Sequence, residues 1–257
     1  MTDAQIGAVA RQLAEAARTC TPVEALGVDP GSVAAGYAIQ HAGHELHADP
    51  LVGWKVGCTS PPAQQFLGVD QPVAGRYRSL HVLEAPASIN ASEFVTTAHL
   101  EVEIGLRLSI DIGAAPADPL DLADAVEVFA AIEVVAGRLG SFPMVPAPQL
   151  VADNVVGARM IVGPTLDLDA AGIRGLDTMS VELDVDGVTV AHGVGGDALG
   201  HPLNVLAWLA GHAAQHDNPL SSGDLVITGT CTGLVPARQG ATHIGRVGTA
   251  ELSLHVN

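Results

Sequence analysis

The chain is poor in aromatic, basic and cysteine residues. Aromatic residues make up only 3% of its 257 positions, so we do not expect aromatic stacking platforms. The 11 basic residues stand against 28 acidic ones, giving a formal net charge of −17. This balance argues against binding to nucleic acid or to an anionic membrane, since both require a basic surface. A small anionic substrate would need a local cation to hold it.

The cysteines and apolar runs exclude further classes. Cys20, Cys58 and Cys231 are odd in number, far apart and without a CxxC pair, which argues against a disulfide framework or a structural zinc site. No apolar run approaches the roughly 20 residues that span a bilayer, and the first residues do not resemble a signal peptide. We therefore expect a cytoplasmic protein without membrane contact.

The sequence changes character near residue 50. Thr2 and Gln5 have the spacing of a helix capping box, and a second helix is predicted from Val33 to His47. Short β-like runs separated by glycine and proline turns then follow. The sequence therefore predicts an α+β fold, with a helical N-terminal region over 1–50 and a β-rich catalytic domain over 51–257.

Several elements can be placed individually. Asp118 and Pro119 are typical of a helix start, and we predict a helix from there to about Ala131. Asp186-Gly187 is suited to the type I′ turn of a β-hairpin. The other predicted elements are strands over Leu51 to Gly57, His99 to Leu108, Asp224 to Thr230 and Thr249 to Val256, and a helix over 202–216.

Glu101 and Glu103 are the most informative acidic pair. Alternation along a strand puts both carboxylates on one face, with their Cα atoms roughly 6–7 Å apart. Two such charges repel each other unless a cation, a proton or a base pairs with them. A hard divalent cation such as Mg²⁺, which prefers oxygen ligands, is one solution. A solvated strand face is the alternative interpretation.

Two further charged residues interrupt apolar runs. Glu133 lies in AAIEVVAG, where a buried carboxylate is costly unless it is paired or bound to a metal. An edge position facing water is the alternative. Lys55 lies in GWKVG, where its ammonium either extends to solvent or serves a site.

Together these residues belong to an ordered set of motifs. The set resembles the 2-keto-4-pentenoate hydratase / 4-oxalocrotonate decarboxylase group of the fumarylacetoacetate hydrolase superfamily, from about Gly53 to the C-terminus. The motifs that carry the resemblance are GWKVGCTS, LGVDQPVAG, LEVEIG, AIEVVAGR, LVADN, LGHPLNVLAWLA and SGDLVITGT.

The resemblance implies a fold, a cofactor and an activity. It implies a mixed, rolled β-sheet core of the fumarylacetoacetate hydrolase C-terminal type, assembly into homo-oligomers, and bound Mg²⁺ or Mn²⁺. Activity is expected to be that of a metal-dependent lyase, a hydratase acting on a small 2-oxo acid or its dienol in aromatic catabolism. The residues carried over are the metal ligands Glu101, Glu103 and Glu133, the active-site Lys55, and Thr230 in the substrate pocket.

The chain departs from the family pattern around the acid/base groups. Ser79 stands where members usually carry an aspartate, and serine has no useful pKa near neutrality. Ala136 and Gly137 replace an acidic residue and a serine. His81 is the nearby substitute for proton transfer. The catalytic candidates are therefore Lys55, Ser79 and His81, and the substrate-binding candidates are Arg76, Arg78, Arg138 and Thr230, with Arg76 and Arg78 suited to a second substrate carboxylate.

These departures leave other reactions open. One is decarboxylation of a 2-oxo-diacid, and another is C–C hydrolysis or tautomerisation of an acylpyruvate. The superfamily's hydrolases use a His–Glu pair on a mobile lid, and His41 to His47 contains such residues on a predicted helix. A homologue that keeps the metal carboxylates but has lost turnover is the remaining alternative.

Overall fold

The computed structural model describes residues 1–257, which fold into two β-sheets and six α-helices. This is the predicted α+β architecture. The helices are α1 (Asp3–Thr19), α2 (Val33–His44), α3 (Pro61–Leu67), α4 (Ala147–Ala152), α5 (Ala170–Ile173) and α6 (Pro202–Gln215). The strands are β1 (Leu51–Gly57), β2 (Val73–Arg78), β3 (Val82–Glu84), β4 (Ala87–Ile89), β5 (His99–Leu108), β6 (Val126–Val135), β7 (Gly157–Thr165), β8 (Ser180–Val185), β9 (Val188–Val194), β10 (Leu225–Ile227), β11 (Val235–Pro236), β12 (Thr242–Val247) and β13 (Ala250–Val256).

The larger sheet is mixed and has eight strands. Its order is β2-β1-β10-β5-β6-β7-β3, and β11 pairs with the outer part of β5. Strand β1 is parallel to β10 and β3 is parallel to β7, whereas β5, β6 and β7 are mutually antiparallel. The smaller sheet has the order β4-β13-β12-β8-β9. The central strands β5 and β6 are buried on both faces.

The main core lies on one face of β5. Leu100, Val102 and Ile104 alternate with the glutamates and are fully buried. They pack with apolar residues of β6, of the smaller sheet and of α6 in one large cluster. The same period-two pattern therefore directs apolar side chains to the core and polar side chains to the opposite face.

The N-terminal helices cover one end of the larger sheet. Thr2 and Gln5 form the predicted capping box of α1, with the Thr2 amide donating to Gln5 Oε1 at 2.8 Å. Gln40 anchors α2, because its amide donates to the carbonyls of Ala74 and Val151 at 3.1 and 3.0 Å. The division of the chain into units at residue 50 stays a prediction.

The predicted helix from Asp118 to Ala131 is wrong in its second half. A 3-10 turn covers Pro119–Ala125, and strand β6 begins at Val126. Asp118 caps this turn by accepting from the Leu120 amide at 2.9 Å. The segment VEVFAAIEVV is rich in β-branched residues, and it pairs along its whole length with β5 and over most of it with β7. Sheet pairing therefore outweighs the helix-start signal.

The other local predictions hold, the strands over Leu51–Gly57 and His99–Leu108 with the predicted bounds and several others with shorter ones. Asp186 and Gly187 have φ of 48° and 82°, as a type I′ turn requires. Helix α2 ends at His44, three residues before the predicted end. Strand β10 ends at Ile227, because Gly229 has φ of 98° and leaves the extended conformation. None of the helices is both long and apolar enough to cross a membrane.

Candidate active site

Three glutamates meet on the face of the larger sheet opposite the main core. Glu101 and Glu103 extend from β5, and Glu133 extends from β6, directly opposite Glu101 in register. One carboxylate oxygen of each residue lies within 4.8 Å of the others. Their exposed fractions are 8%, 1% and 1%, so the solvated-face and edge-position alternatives do not describe this structure.

Lys55 completes this cluster from strand β1. Its Nζ lies 3.1 Å from Glu133 Oε1 and donates to the Val155 carbonyl at 2.8 Å. Only 4% of Lys55 is exposed. Burial opposes the charged ammonium, but the charges of Glu133, Glu101 and Glu103 outweigh burial and hold the pKa of Lys55 above its ordinary value.

Burial and the neighbouring negative charges raise the pKa of two of the three carboxylates. Burial and the charge of Glu133 raise the pKa of Glu101 to about 7, although Lys55 and the Thr230 hydroxyl oppose the rise. Burial, Glu133 and Glu101 raise the pKa of Glu103 well above its ordinary value. Three carboxylates and one ammonium would leave a buried charge of −2. The cluster therefore fits a hard divalent cation, such as Mg²⁺ or Mn²⁺, which takes carboxylate oxygens and would balance that charge.

Neighbouring groups contact the carboxylates. The Gly229 amide donates to Glu103 Oε2 at 2.6 Å, and the nearby Thr230 hydroxyl acts to lower the pKa of Glu101. The Tyr77 hydroxyl donates to Glu133 Oε1 at 2.5 Å from a fully buried position. Sequence reasoning missed Tyr77, which lies between two arginines in GRYRSLH. Alternation from Gly75, the register partner of Lys55, was the signal that could have placed Tyr77 on the same face.

Ser79 and His81 lie away from the glutamates. Ser79 is exposed in a 3-10 turn after β2, and its side chain makes no hydrogen bond. His81 is half-buried and lines a separate cavity. Burial, together with Arg159 and Arg138, lowers the pKa of His81 to about 4. The structure brings neither residue into hydrogen-bond contact with the carboxylates, and their catalytic roles stay predictions.

The three predicted substrate arginines have other contacts. Arg78 donates to the carbonyls of His44 and Asp49 and so fixes the segment after α2. Arg138 forms an ion pair with buried Asp153 at 2.9 Å. Arg76 lies over the Trp54 ring, 3.9 Å from its centroid. All three line the cavity that contains His81, and substrate binding by them stays a prediction.

Comparison with known proteins identifies the family to which the chain belongs. Residues 37–253 match the model of the fumarylacetoacetate (FAA) hydrolase C-terminal family. The chain is 33% identical to a 2-keto-4-pentenoate hydratase of Burkholderia vietnamiensis, over 95% of this chain and 94% of the relative. It is 34% identical to a 2-keto-4-pentenoate hydratase of Paraburkholderia phymatum, over 84% and 83% of the two chains. The chain belongs to the fumarylacetoacetate hydrolase family, as the motifs predicted.

A solved structure supports the fold. The 4-oxalocrotonate decarboxylase from Pseudomonas putida G7, complexed with magnesium and adipate, superposes with a TM-score of 0.91. The two sequences are 24% identical, and the match covers 100% of this chain and 99% of that one. The predicted mixed, rolled sheet with a helical N-terminal part is therefore confirmed.

Proposed function

We propose that the protein is a divalent-metal-dependent hydro-lyase acting on a small 2-oxo acid or its dienol. The observation that carries this proposal is the buried cluster of Glu101, Glu103 and Glu133 with Lys55 against it. The names of the relatives at 33% and 34% identity support hydration as the reaction. Assembly into homo-oligomers and a cytoplasmic location, expected from the resemblance and the composition, stay predictions.

The three carboxylates would hold the cation, Mg²⁺ or Mn²⁺. When bound, the cation supplies positive charge for the carboxylate and keto oxygens of a 2-oxo acid. The glutamates' contacts with Tyr77 and Gly229 fix the carboxylate positions in advance. Second contacts of this kind orient metal ligands and contribute to metal affinity.

Lys55 is the residue best placed to exchange a proton with the substrate. An ammonium has three N–H donors, and Glu133 and Val155 engage two of them. The third is free to point at a substrate atom that gains negative charge. Lys55 is also the cationic side chain in contact with the glutamates, whereas Ser79 is exposed.

The position of helix α2 argues against the hydrolase alternative. A His–Glu lid requires a segment that can move over the site. The helix that contains His41 and His44 is instead fixed by Gln40 to Ala74 and Val151. Decarboxylation of a 2-oxo-diacid remains the second candidate, because the same carboxylate cluster would hold the cation that the 2-oxo-acid end of either substrate requires.

Absorbance decay of a 2-hydroxy-2,4-dienoate, with Mg²⁺ or with EDTA, tests the proposal. We expect turnover only with the metal, and a product heavier by one water. Glu133→Gln should lower kcat/KM at least ~100-fold, since removing a metal ligand should cost no less than losing an outer-shell partner. Glu127→Gln is the matched control, because Glu127 is exposed on the same strand.

The alternatives predict other results. Release of carbon dioxide from a 2-oxo-enedioate, without hydration of the dienoate, would assign the decarboxylase reaction. Cleavage of an acylpyruvate into two acids would assign the hydrolase. If none of these substrates is turned over with Mg²⁺ or Mn²⁺, the proposal fails and the chain is a non-catalytic homologue.

A further inference from the structure

A polar cavity lies between helices α1 and α2 and the end of the larger sheet. Its volume is about 230 Å³. We call it the arginine cavity, after the residues that distinguish it. The arginines and histidines that line it include Arg76, Arg78, Arg138, Arg159, His44 and His81.

Arg76, the cavity residue on β2, points to the opposite face of the strand from Lys55. Lys55 pairs with Gly75 in register, and Trp54 pairs with Arg76. Successive side chains of a strand point to opposite faces, so Arg76 lies with Trp54 and away from Lys55 and Tyr77. Neither Lys55 nor any of the three glutamates lines the cavity. A ligand in the arginine cavity would therefore not touch the metal-binding carboxylates.

The lining is positively charged within a strongly acidic protein. Four of the chain's ten arginines line the cavity, and the acidic residues there are Asp153 and Glu93. Four positive and two negative charges leave +2, without counting any histidine, in a chain whose net charge is −17. Such a concentration of one sign in a concave site attracts anions of opposite charge.

Arg76 is the least satisfied of these arginines. Its guanidinium has no hydrogen-bonded acceptor and no ion pair, and its buried Nε has no partner. The buried Nε2 of His44, on the facing helix, also lacks a partner. Burial lowers the pKa of Arg76 to about 10, and the charge of Asp224, which forms no ion pair with Arg76, offsets only part of this cost. A bound anion would supply the missing acceptor.

Arg138 and Arg159, which lie at the entrance where the cavity opens to solvent, still have N–H donors available. Arg138 uses one terminal nitrogen on Asp153, and Arg159 lies 3.5 Å from Glu93. Their side chains are 19% and 22% exposed, so the cavity opens to solvent beside them. Guanidinium groups present pairs of donors that match carboxylate oxygens. Arg78 contributes charge only, because backbone carbonyls already engage it.

We propose that the arginine cavity is a second ligand site, which binds a small dicarboxylate independently of the metal. The charge of +2 matches a dianion. A cavity of about 230 Å³ has room for both carboxylates of a short dicarboxylate. Arg76 and one of the two arginines at the entrance would each bind one carboxylate.

Calorimetric titration of the metal-free protein in EDTA tests this site, with succinate as the probe and inorganic phosphate as the comparison anion. We expect saturable succinate binding, at least ~10-fold weaker in Arg76→Gln and in Arg159→Gln, since a charge-assisted contact contributes about 1.5–3 kcal/mol. Arg174→Gln removes the same charge at an arginine outside the cavity and should bind as the wild type does. The second cavity variant keeps the test valid if Arg76→Gln does not fold.

Three outcomes would overturn the proposal. The first is equal succinate affinity in the cavity variants and in Arg174→Gln, or no saturable binding at all. The second is phosphate binding as tightly as succinate, which would exclude selection for a dicarboxylate. The third is loss of succinate binding in Glu133→Gln, which would place the ligand at the metal-binding carboxylates. Because these titrations require no turnover, failure of the lyase proposal would leave their result unchanged.

Discussion

At the scale of single residues, the site depends on polar groups that are buried but paired. Lys55 and Glu133 are both almost fully buried, and each would be costly to leave alone. Tyr77 adds a hydroxyl donor to the same carboxylate oxygen that contacts Lys55. Glu133 is therefore held in one position by two neighbours before a cation binds.

The Tyr77→Phe variant tests the contribution of this hydroxyl. The ring stays in place while the hydrogen bond to Glu133 is lost, so the carboxylate loses one of the contacts that orient it. We expect Mn²⁺ affinity to fall about 10-fold, the lower end of the effect of removing an outer partner of a metal ligand. Titration calorimetry of the metal-free protein with Mn²⁺ measures this change.

Tyr37→Phe is the control for this experiment. The Tyr37 hydroxyl accepts from the Ala74 amide at 2.9 Å and has no contact with the glutamates. Its loss should leave Mn²⁺ affinity unchanged while removing one hydrogen bond. If both tyrosine variants bind Mn²⁺ as tightly as the wild type, Tyr77 does not orient the metal-binding carboxylate.

At the scale of elements, sequence patterns were reliable where one local signal dominated. The alternation over His99 to Leu108 placed Glu101 and Glu103 on one face, as the structure has them. Strand β6 was missed because Asp118-Pro119 starts a 3-10 turn as readily as a longer helix. What makes residues 126–135 a strand is pairing with β5 and β7, which a local pattern does not contain.

The same distinction applies to the candidate site. Glu133 and Lys55 could be found from the sequence because charges within apolar runs are rare. Tyr77 could not be found in this way, since a tyrosine in a strand is ordinary and its importance comes from a neighbour 56 residues away. The arginine cavity was not predicted either, because Arg76, Arg138 and Arg159 come together only through packing of separate elements.

The hairpin between β8 and β9 offers a test at the level of one element. Gly187 has φ of 82°, and a Cβ there would meet no atom within 4 Å. Gly187→Ala should therefore act through backbone strain alone. We expect it to lower the free energy of unfolding by about 1–2 kcal/mol, the cost of a left-handed conformation for a residue with a Cβ. Urea unfolding measures this difference.

Gly43→Ala is the matched control with the opposite expected sign. Gly43 also has open space around its Cβ position, but it lies within helix α2. Alanine is more favourable than glycine in a helix, so Gly43→Ala should raise the free energy of unfolding by about 0.5–1 kcal/mol. Destabilisation by both substitutions would indicate lost packing space and would contradict the assignment of the Gly187 effect to backbone conformation.

At the scale of the whole molecule, five of the eleven basic residues belong to the arginine cavity or to the glutamate cluster. Four arginines surround the arginine cavity, and the single lysine lies against the glutamates. Histidines beside the arginines respond to this field. Burial, and then Arg76 and Arg78, lowers the pKa of His44 to about 3. Burial and the neighbouring arginines also hold the pKa of His81 down, at about 4.

These two pKa values make stability fall in mild acid. An imidazole in the unfolded chain takes up a proton near pH 6.5. Between about pH 6.5 and pH 4 the unfolded state therefore binds more protons than the folded state, and the free energy of unfolding falls as the pH falls. The slope is at most about 1.4 kcal/mol per pH unit for each histidine. Above pH 6.5 both states are neutral at these residues, and this contribution is constant.

His44→Gln isolates one histidine from the carboxylates that also titrate in acid. We expect its free energy of unfolding to fall less steeply between pH 6.5 and pH 4.5, by up to about 1.4 kcal/mol per pH unit relative to the wild type. His41→Gln, at an exposed position on the same helix, should keep the wild-type slope. Urea unfolding at several pH values gives these slopes. Equal slopes in both variants would mean that His44 gains its proton as readily in the folded protein as in the unfolded chain, and the arginine cavity would then not carry the positive field that its lining indicates.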